Sequence, residues 1–386
     1  MLSRVADNLY WMARYLERAE HTARVLDVHL TRMLEEYGGE SREAWDGLIE
    51  SLGLKAPEGL DEHSFGHWLT FDIAHQSSIV SCIMSARDNS RQVREQISSE
   101  MWEQLNRLFH RVRSASLTEA SSSAQQDFLN EVKEAAHLFQ GITDSTMNHG
   151  EGWQFIQIGR FLERAVSVAS LIGVQYRDEE HLEGIAVLKS CTAFEAYCKV
   201  YTADVRPMQV ADFLLLNAEF PHSVRFAADQ IETALKTLPL ANERKTGGKP
   251  LRLAGKLKAT LSFSEMEEIY DSNLQPFLAD MERQFSQVHN AMHQIYVDYP
   301  VEAAIENLTT HVLFDPARDP VSLQCGRQRE LYGSPYAPAK RWQSEMFAVR
   351  FARDTPGQGR LLPGSQRQSS SLFRCSRAPH QAQRAG

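Results

Sequence analysis

Apolar residues recur every three to four positions over most of residues 1–297, and this rhythm fades beyond about residue 300. Leu9, Met12, Leu16, Ala19, Ala23 and Leu26 draw one stripe along residues 3–36, which predicts a long amphipathic helix stopped by Gly38-Gly39. The same rhythm predicts helices over about 42–53, 66–85, 89–112 and 125–146, with turns or linkers at Lys55–Gly59 and Ser114–Ser123. Further helices are expected over about 152–176, 180–199, 207–216, 222–237, 251–261 and 264–297, with a polar, breaker-rich loop at Asn242–Pro250. Convincing period-two alternation is absent from the sequence. The expected fold class is therefore all-α, a helical bundle.

One motif occurs twice. Arg14-Tyr15-Leu16-Glu17-Arg18-Ala19 reappears as Arg160-Phe161-Leu162-Glu163-Arg164-Ala165, and the register holds at Ala23 with Ala169 and Val28 with Val174. This predicts two pseudo-symmetric repeats, about 1–113 and 151–237, closed by helices over 251–297 into one domain of about 1–300. A weaker match lays Asp88–Arg94 on Glu219–Arg225, with Ser90 as a helix N-cap and Pro221 in a first helical turn.

The repeated motif places charges where they need partners. At about 100° per residue, Tyr10, Arg14, Glu17, Arg18 and His21 share one side of the first helix. Arg14 and Arg18 stand at an unfavourable like-charge i,i+4 spacing. In the second copy Arg160, Glu163 and Arg164 lie among Ile156, Val166, Val168 and Leu171, a helix apolar nearly all round and so expected to be buried. Buried charges must be paired. Two arrangements satisfy that need. In one, the copies cross-pair: Glu17 with Arg164 or Arg160, and Glu163 with Arg18 or Arg14. In the other, Arg14, Arg160, Arg87 and Arg91, with Asp88 and Asn89 nearby, line a pocket for an anionic or carboxylate-bearing ligand.

Composition narrows the function classes. The chain has 386 residues, 42% of them hydrophobic, enough for a sizeable core. Residues 315–386 hold twelve Lys or Arg against five Asp or Glu, a balance of +7, which leaves −16 of the net −9 on residues 1–314. An acidic body argues against nucleic-acid binding. Beyond about residue 301, Pro, Gly, Ser, Gln and Arg dominate, so residues 301–386 are expected to form an irregular tail. Removing the residues after Val312 is then expected to leave the melting temperature within about a degree or two, as calorimetry would show.

No apolar run is long enough for a membrane span and no signal peptide is expected. The five scattered cysteines lack Cys-x-x-Cys spacing, which fits a reducing compartment, so a cytoplasmic location is expected. Three pairs carry metal-ligand types at helical spacing: Glu134/His137, Glu219/His222 and His289/His293. Pro221 interrupts the second pair, and the third reads best as one polar helix face, so neither metal nor cofactor is expected. Nucleotide-binding and nucleophile-elbow motifs are missing from the sequence.

The opening run Leu2–Glu20 resembles the start of the bacterial Alpha-E family, also known as DUF403. The likeness continues in Ala86–Arg91, Gln96–Trp102, Phe213–Leu216 and Phe220-Pro221, and covers roughly residues 1–300. The resemblance implies an all-helical fold named for a Glu-Arg motif, here Glu17-Arg18 and Glu163-Arg164. Genes of the family tend to neighbour those of circularly permuted ATP-grasp and transglutaminase-like proteins. It thus implies an accessory subunit, enzymatic or not, of a peptide-ligation or peptide-modification system with an ATP-grasp partner. The alternative is a non-catalytic helical scaffold or protein-interaction module. Where the family usually has Pro-Arg-Ser, this chain has Pro221-His222-Ser223.

Overall fold

The computed structural model describes residues 1–297 except 36–41, 62–63, 116–121, 178–182, 203 and 240–247. Fourteen helices and no strands occur among the described residues. In chain order they are α1 (Ser3–Glu35), α2 (Arg42–Ser51), α3 (Phe65–Thr70), α4 (Ile79–Gln92), α5 (Ser99–Ala115), α6 (Ser122–Thr146) and α7 (Glu151–Gln175). They continue as α8 (Gly184–Ser190), α9 (Phe194–Tyr201), α10 (Pro207–Leu216), α11 (Val224–Thr237), α12 (Lys249–Phe263), α13 (Met266–Asp271) and α14 (Leu274–Tyr296). The all-α class is as the periodicity predicts. The expected tail and the Gly38-Gly39 stop lie outside the described residues.

The long helices α1 and α7 lie against each other at the centre. They run in the same direction: the Met1 amino group meets Glu151, Tyr10 lies against Gly159, and Arg14 reaches Glu163. Gly159 sets how close they come. A methyl group added there would sit 2.4 Å from the Tyr10 carbonyl oxygen, so only glycine allows this backbone approach. Helices α4 and α6 also cover α1, and α5 packs on both. On the other side α11 and α14 cover α7, and α12 joins α11 to α14.

This wrapping corrects the single-stripe expectation for the first helix. Every residue from Leu9 to Ala23 is buried, the charged ones included. The helical rhythm reported the apolar face correctly, but it could not show that three helices would enclose the polar face as well.

Several expected helices are broken by local backbone chemistry. Asn273, at φ +80°, divides α13 from α14, and its side-chain oxygen accepts from Gln275 N at 3.0 Å. Thr192, at φ +52°, separates α8 from α9. The expected 66–85 helix restarts at Ser78, whose hydroxyl caps α4 by accepting from Ser81 N at 3.2 Å. The expected 89–112 helix is the end of α4 and the whole of α5, whose start Ser98 marks by accepting from Met101 N at 3.1 Å.

The weaker internal match does not hold in three dimensions. Ser90 is inside α4, donating to the Arg87 carbonyl at 2.6 Å, and caps nothing. Ser223 does cap α11, accepting from Phe226 N at 3.0 Å, and Pro221 precedes that helix rather than entering its first turn. Residues 88–92 are helix and 219–223 are turn, so the two stretches are not equivalent.

Candidate functional site

The contact between α1 and α7 is polar at its centre. Arg14 donates through both Nε, at 2.8 Å, and Nη2, at 2.6 Å, to one carboxylate oxygen of Glu163. Arg18 Nε donates to the other at 2.7 Å. Reciprocally, Arg164 Nε and Nη2 donate to the two oxygens of Glu17 at 2.5 and 3.1 Å. Glu163 is wholly buried, and Glu17, Arg14 and Arg164 are nearly so. Each glutamate thus holds arginines from the opposite helix. Burial works against the charge on Arg18, yet the adjoining Glu163 holds it firmly protonated. His21, also singled out by the sequence, is buried on α1.

The fourth arginine is placed differently. Arg160 Nε is 4.0 Å from Glu17 and is buried with no hydrogen-bond partner among the described residues. It borders a cavity of about 20 Å³, with Glu17, Gln140, Asp144 and Gln157 also in the wall. That is room for about one water. Burial, and then the like charge of Arg164, lowers its pKa to about 10. Gln140 Nε2 donates to Glu17 at 3.2 Å, supplying part of what Arg160 does not.

The network extends at both ends through Tyr10, His289, Glu20, Arg24 and His137, which the expected cross-pairing does not include. The Tyr10 hydroxyl accepts from Arg14 Nη1 at 3.2 Å and pairs with His289 Nδ1 at 2.6 Å. Burial raises the Tyr10 pKa to about 12, against the pull of Arg14. His293, one turn beyond, faces Asp7 at 3.5 Å. The pair weighed as metal ligands is thus occupied by different partners. At the other end Arg24 donates to the buried Glu20, with His137 3.5 Å from the same carboxylate. Burial opposes ionisation of Glu20, but the His137 hydrogen bond and the Arg24 charge hold its pKa well below the usual range. His222 stands near this group. Burial first, and Arg164 next, pushes its pKa well below the ordinary histidine value. Arg164 Nη1 also donates to the Pro221 carbonyl at 3.1 Å, fastening the turn before α11 to the network.

Arg87, Asp88, Asn89 and Arg91 are not gathered with the other arginines. Arg87 donates to Asn106 of α5 at 2.8 Å and lies 4.3 Å from the centre of the Phe109 ring. Asn89 donates to the Ser85 carbonyl at 2.8 Å, and Asp88 and Arg91 are exposed. The helical register turns this stretch of α4 toward α5 and solvent, so the second of the two arrangements, a pocket joining Arg14, Arg160, Arg87 and Arg91, does not form among the described residues. Among the described residues no group of three or more His, Cys, Asp or Glu could hold a metal ion.

Residues 1–297 match the family model described as a predicted alpha-helical domain with a conserved ER motif. The chain belongs to the Alpha-E family. It is also similar to the uncharacterized protein Mb2597 of Mycobacterium bovis and the uncharacterized protein Rv2567 of Mycobacterium tuberculosis. Each is 24% identical over 320 residues, covering 76% of this chain and 36% of the relative. The chain therefore spans about a third of the length of these relatives. No solved structure matches it. No helix among the described residues is long and apolar enough to cross a membrane.

The buried titrating groups give the Alpha-E domain an acid-sensitive core. His29, His222 and His289 all have folded pKa values below the ordinary 6.5, in each case chiefly through burial. Each binds its proton more readily in the unfolded chain. Their contribution is complete above about pH 6.5 and is lost as pH falls through the folded values. For His29, with a pKa of about 4, the loss from pH 6.5 to 4 is on the order of 3 kcal/mol. Thermal melts between pH 7.5 and 4 are expected to show the decline, with a shallower slope in His29→Gln. A flat profile in the parent protein would contradict this.

Proposed function

We propose that this Alpha-E domain is a non-catalytic accessory module of a peptide-ligation or peptide-modification system, working with an ATP-grasp partner in the cytoplasm. The observation that carries the reading is the closure of the Glu-Arg network. All four carboxylate oxygens of Glu17 and Glu163 accept from an arginine of the opposite helix, and Arg14, Arg18 and Arg164 each donate to one of these two glutamates, Arg18 being the most exposed of the five at 8%. An arginine fork already bound to a buried carboxylate offers little to a substrate. The length of the relatives supports a modular role, since there the matching region is about a third of a longer chain. The partner comes from the family resemblance, and the compartment from the scattered cysteines.

The test is co-expression with an ATP-grasp protein encoded beside this chain's gene, followed by an ATP-dependent ligation assay. The expected result is a stable complex, higher ligation activity with the chain present, and no turnover by the chain alone. Turnover by the isolated chain would overturn the non-catalytic reading. Absence of a complex together with unchanged partner activity would overturn the partnership.

A further inference from the structure

A larger opening lies away from the Glu-Arg network. It is a cleft of about 540 Å³ between the second half of α1, α2, the end of α7 and α8. That volume is typical of a small-molecule site. Its wall is part aliphatic and part polar: Val25, Leu48, Leu171 and Val187 line it, each at most 5% exposed, beside charged and hydroxyl-bearing residues. His29 lines it too. This residue is 7% exposed, its ring packs edge-on against Trp45 with centroids 4.5 Å apart, and its Nε2 has no hydrogen-bond partner among the described residues.

The rim carries both signs of charge in balance. Arg32, Arg177, Glu43 and Glu183 all line it. Arg32 Nη1 pairs with Glu183 at 2.5 Å and Arg177 Nη1 with Glu50 at 2.6 Å, all four side chains being at least 29% exposed. Exposed pairs of this kind contribute about 1 kcal/mol or less and exchange readily for a better-placed ligand group. A phosphate or dicarboxylate entering here would meet two carboxylates as well as two arginines. A molecule with one carboxylate and one ammonium meets a partner for each.

One residue of the wall has no packing reason to be what it is. Gly47 lies within α2, where glycine costs roughly 1 kcal/mol relative to alanine. A methyl group built on it would meet nothing within 4 Å. Gly47 lines the cleft, so its lack of a side chain keeps the opening clear.

We infer that this cleft binds a small zwitterion with an aliphatic side chain, of the class of aliphatic amino acids and short aliphatic peptides. The carboxylate goes to Arg32 and Arg177, the ammonium to Glu43 and Glu183, and the side chain to the aliphatic wall beside His29. The inference goes beyond the proposed function and does not depend on any partner.

Isothermal titration of the full chain with L-leucine, trileucine, N-acetyl-trileucine amide and inorganic phosphate tests it. Leucine or trileucine is expected to bind. The doubly capped peptide, which lacks both charges, is expected to bind about tenfold more weakly or worse, the equivalent of losing one charge-assisted hydrogen bond. Phosphate is expected to give no heat. Gly47→Leu fills the cleft and is expected to abolish binding with an unchanged or raised melting temperature. Should Gly47→Leu melt lower than the parent, Arg177→Gln provides the second reading: trileucine weakened about tenfold, capped peptide unaffected. The inference is overturned if neither leucine nor trileucine binds at millimolar concentration, if phosphate binds instead, if charged and capped peptides bind alike, or if a well-folded Gly47→Leu binds as the parent does.

Discussion

Glu163→Gln is expected to destabilise the protein by about 3–5 kcal/mol, the range for breaking a buried ion pair by removing one partner. Glu163 is fully buried and is the shared acceptor of Arg14 and Arg18. Glutamine keeps the shape but withdraws the charge, leaving two guanidinium groups facing each other in the core. Glu17→Gln is expected to cost less, about 1.5–3 kcal/mol. Its carboxylate borders the small cavity, where a water can enter, and Gln140 already supports it. Urea melts of the two variants compare them directly. Losses of about 1 kcal/mol or less in both would mean that the network behaves as an exposed one.

Gly159→Ala is expected to cost about 3 kcal/mol, at the upper end of ordinary overpacking. The new methyl would lie 2.4 Å from the Tyr10 carbonyl oxygen, which is backbone and cannot rotate away. To admit it, α1 and α7 must separate, and the Arg14 and Arg18 bonds to Glu163 lengthen with them. Gly141 and Gly47 serve as controls, since a methyl at either meets nothing within 4 Å. Alanine at those helical positions is expected to be neutral or to stabilise by up to about 1 kcal/mol. Urea melts showing Gly159→Ala no less stable than Gly47→Ala would contradict the close-packed crossing.

Much of the fold was legible because helices announce themselves locally. The spacing of apolar residues located α1, α6, α7, α10 and α11 to within a few residues. Interruptions at Asn273 and Thr192 were not legible, because positive φ at a non-glycine residue leaves little trace in sequence. For the charged residues, the argument that a charge on an all-apolar helix must find its opposite led to cross-pairing, and Glu17 with Arg164 and Glu163 with Arg14 and Arg18 are the pairs observed. The complete enclosure of α1 from Leu9 to Ala23 was not legible, since sequence spacing does not say how many neighbours a helix will have. Tyr10, one turn before Arg14, and the i,i+4 pair Glu20 and Arg24 carried a local signal that pointed to membership of the network. His289 and His137 carried none, because only tertiary packing brings them in. The cleft beside His29 was also invisible, being assembled from four helices whose lining residues are ordinary in isolation.

The central claim is that Arg14, Arg18 and Glu163 serve to join α1 to α7 and not to act on a substrate. If so, the charges are replaceable together, because a buried ion triad exchanged for well-packed apolar residues is often neutral or stabilising. The deciding measurement is urea unfolding of the triple variant Arg14→Met, Arg18→Leu, Glu163→Leu beside Glu163→Gln alone. The account predicts that the triple variant recovers to within about 1–2 kcal/mol of the parent while the single variant stays about 3–5 kcal/mol below it. A triple variant no more stable than Glu163→Gln would contradict it.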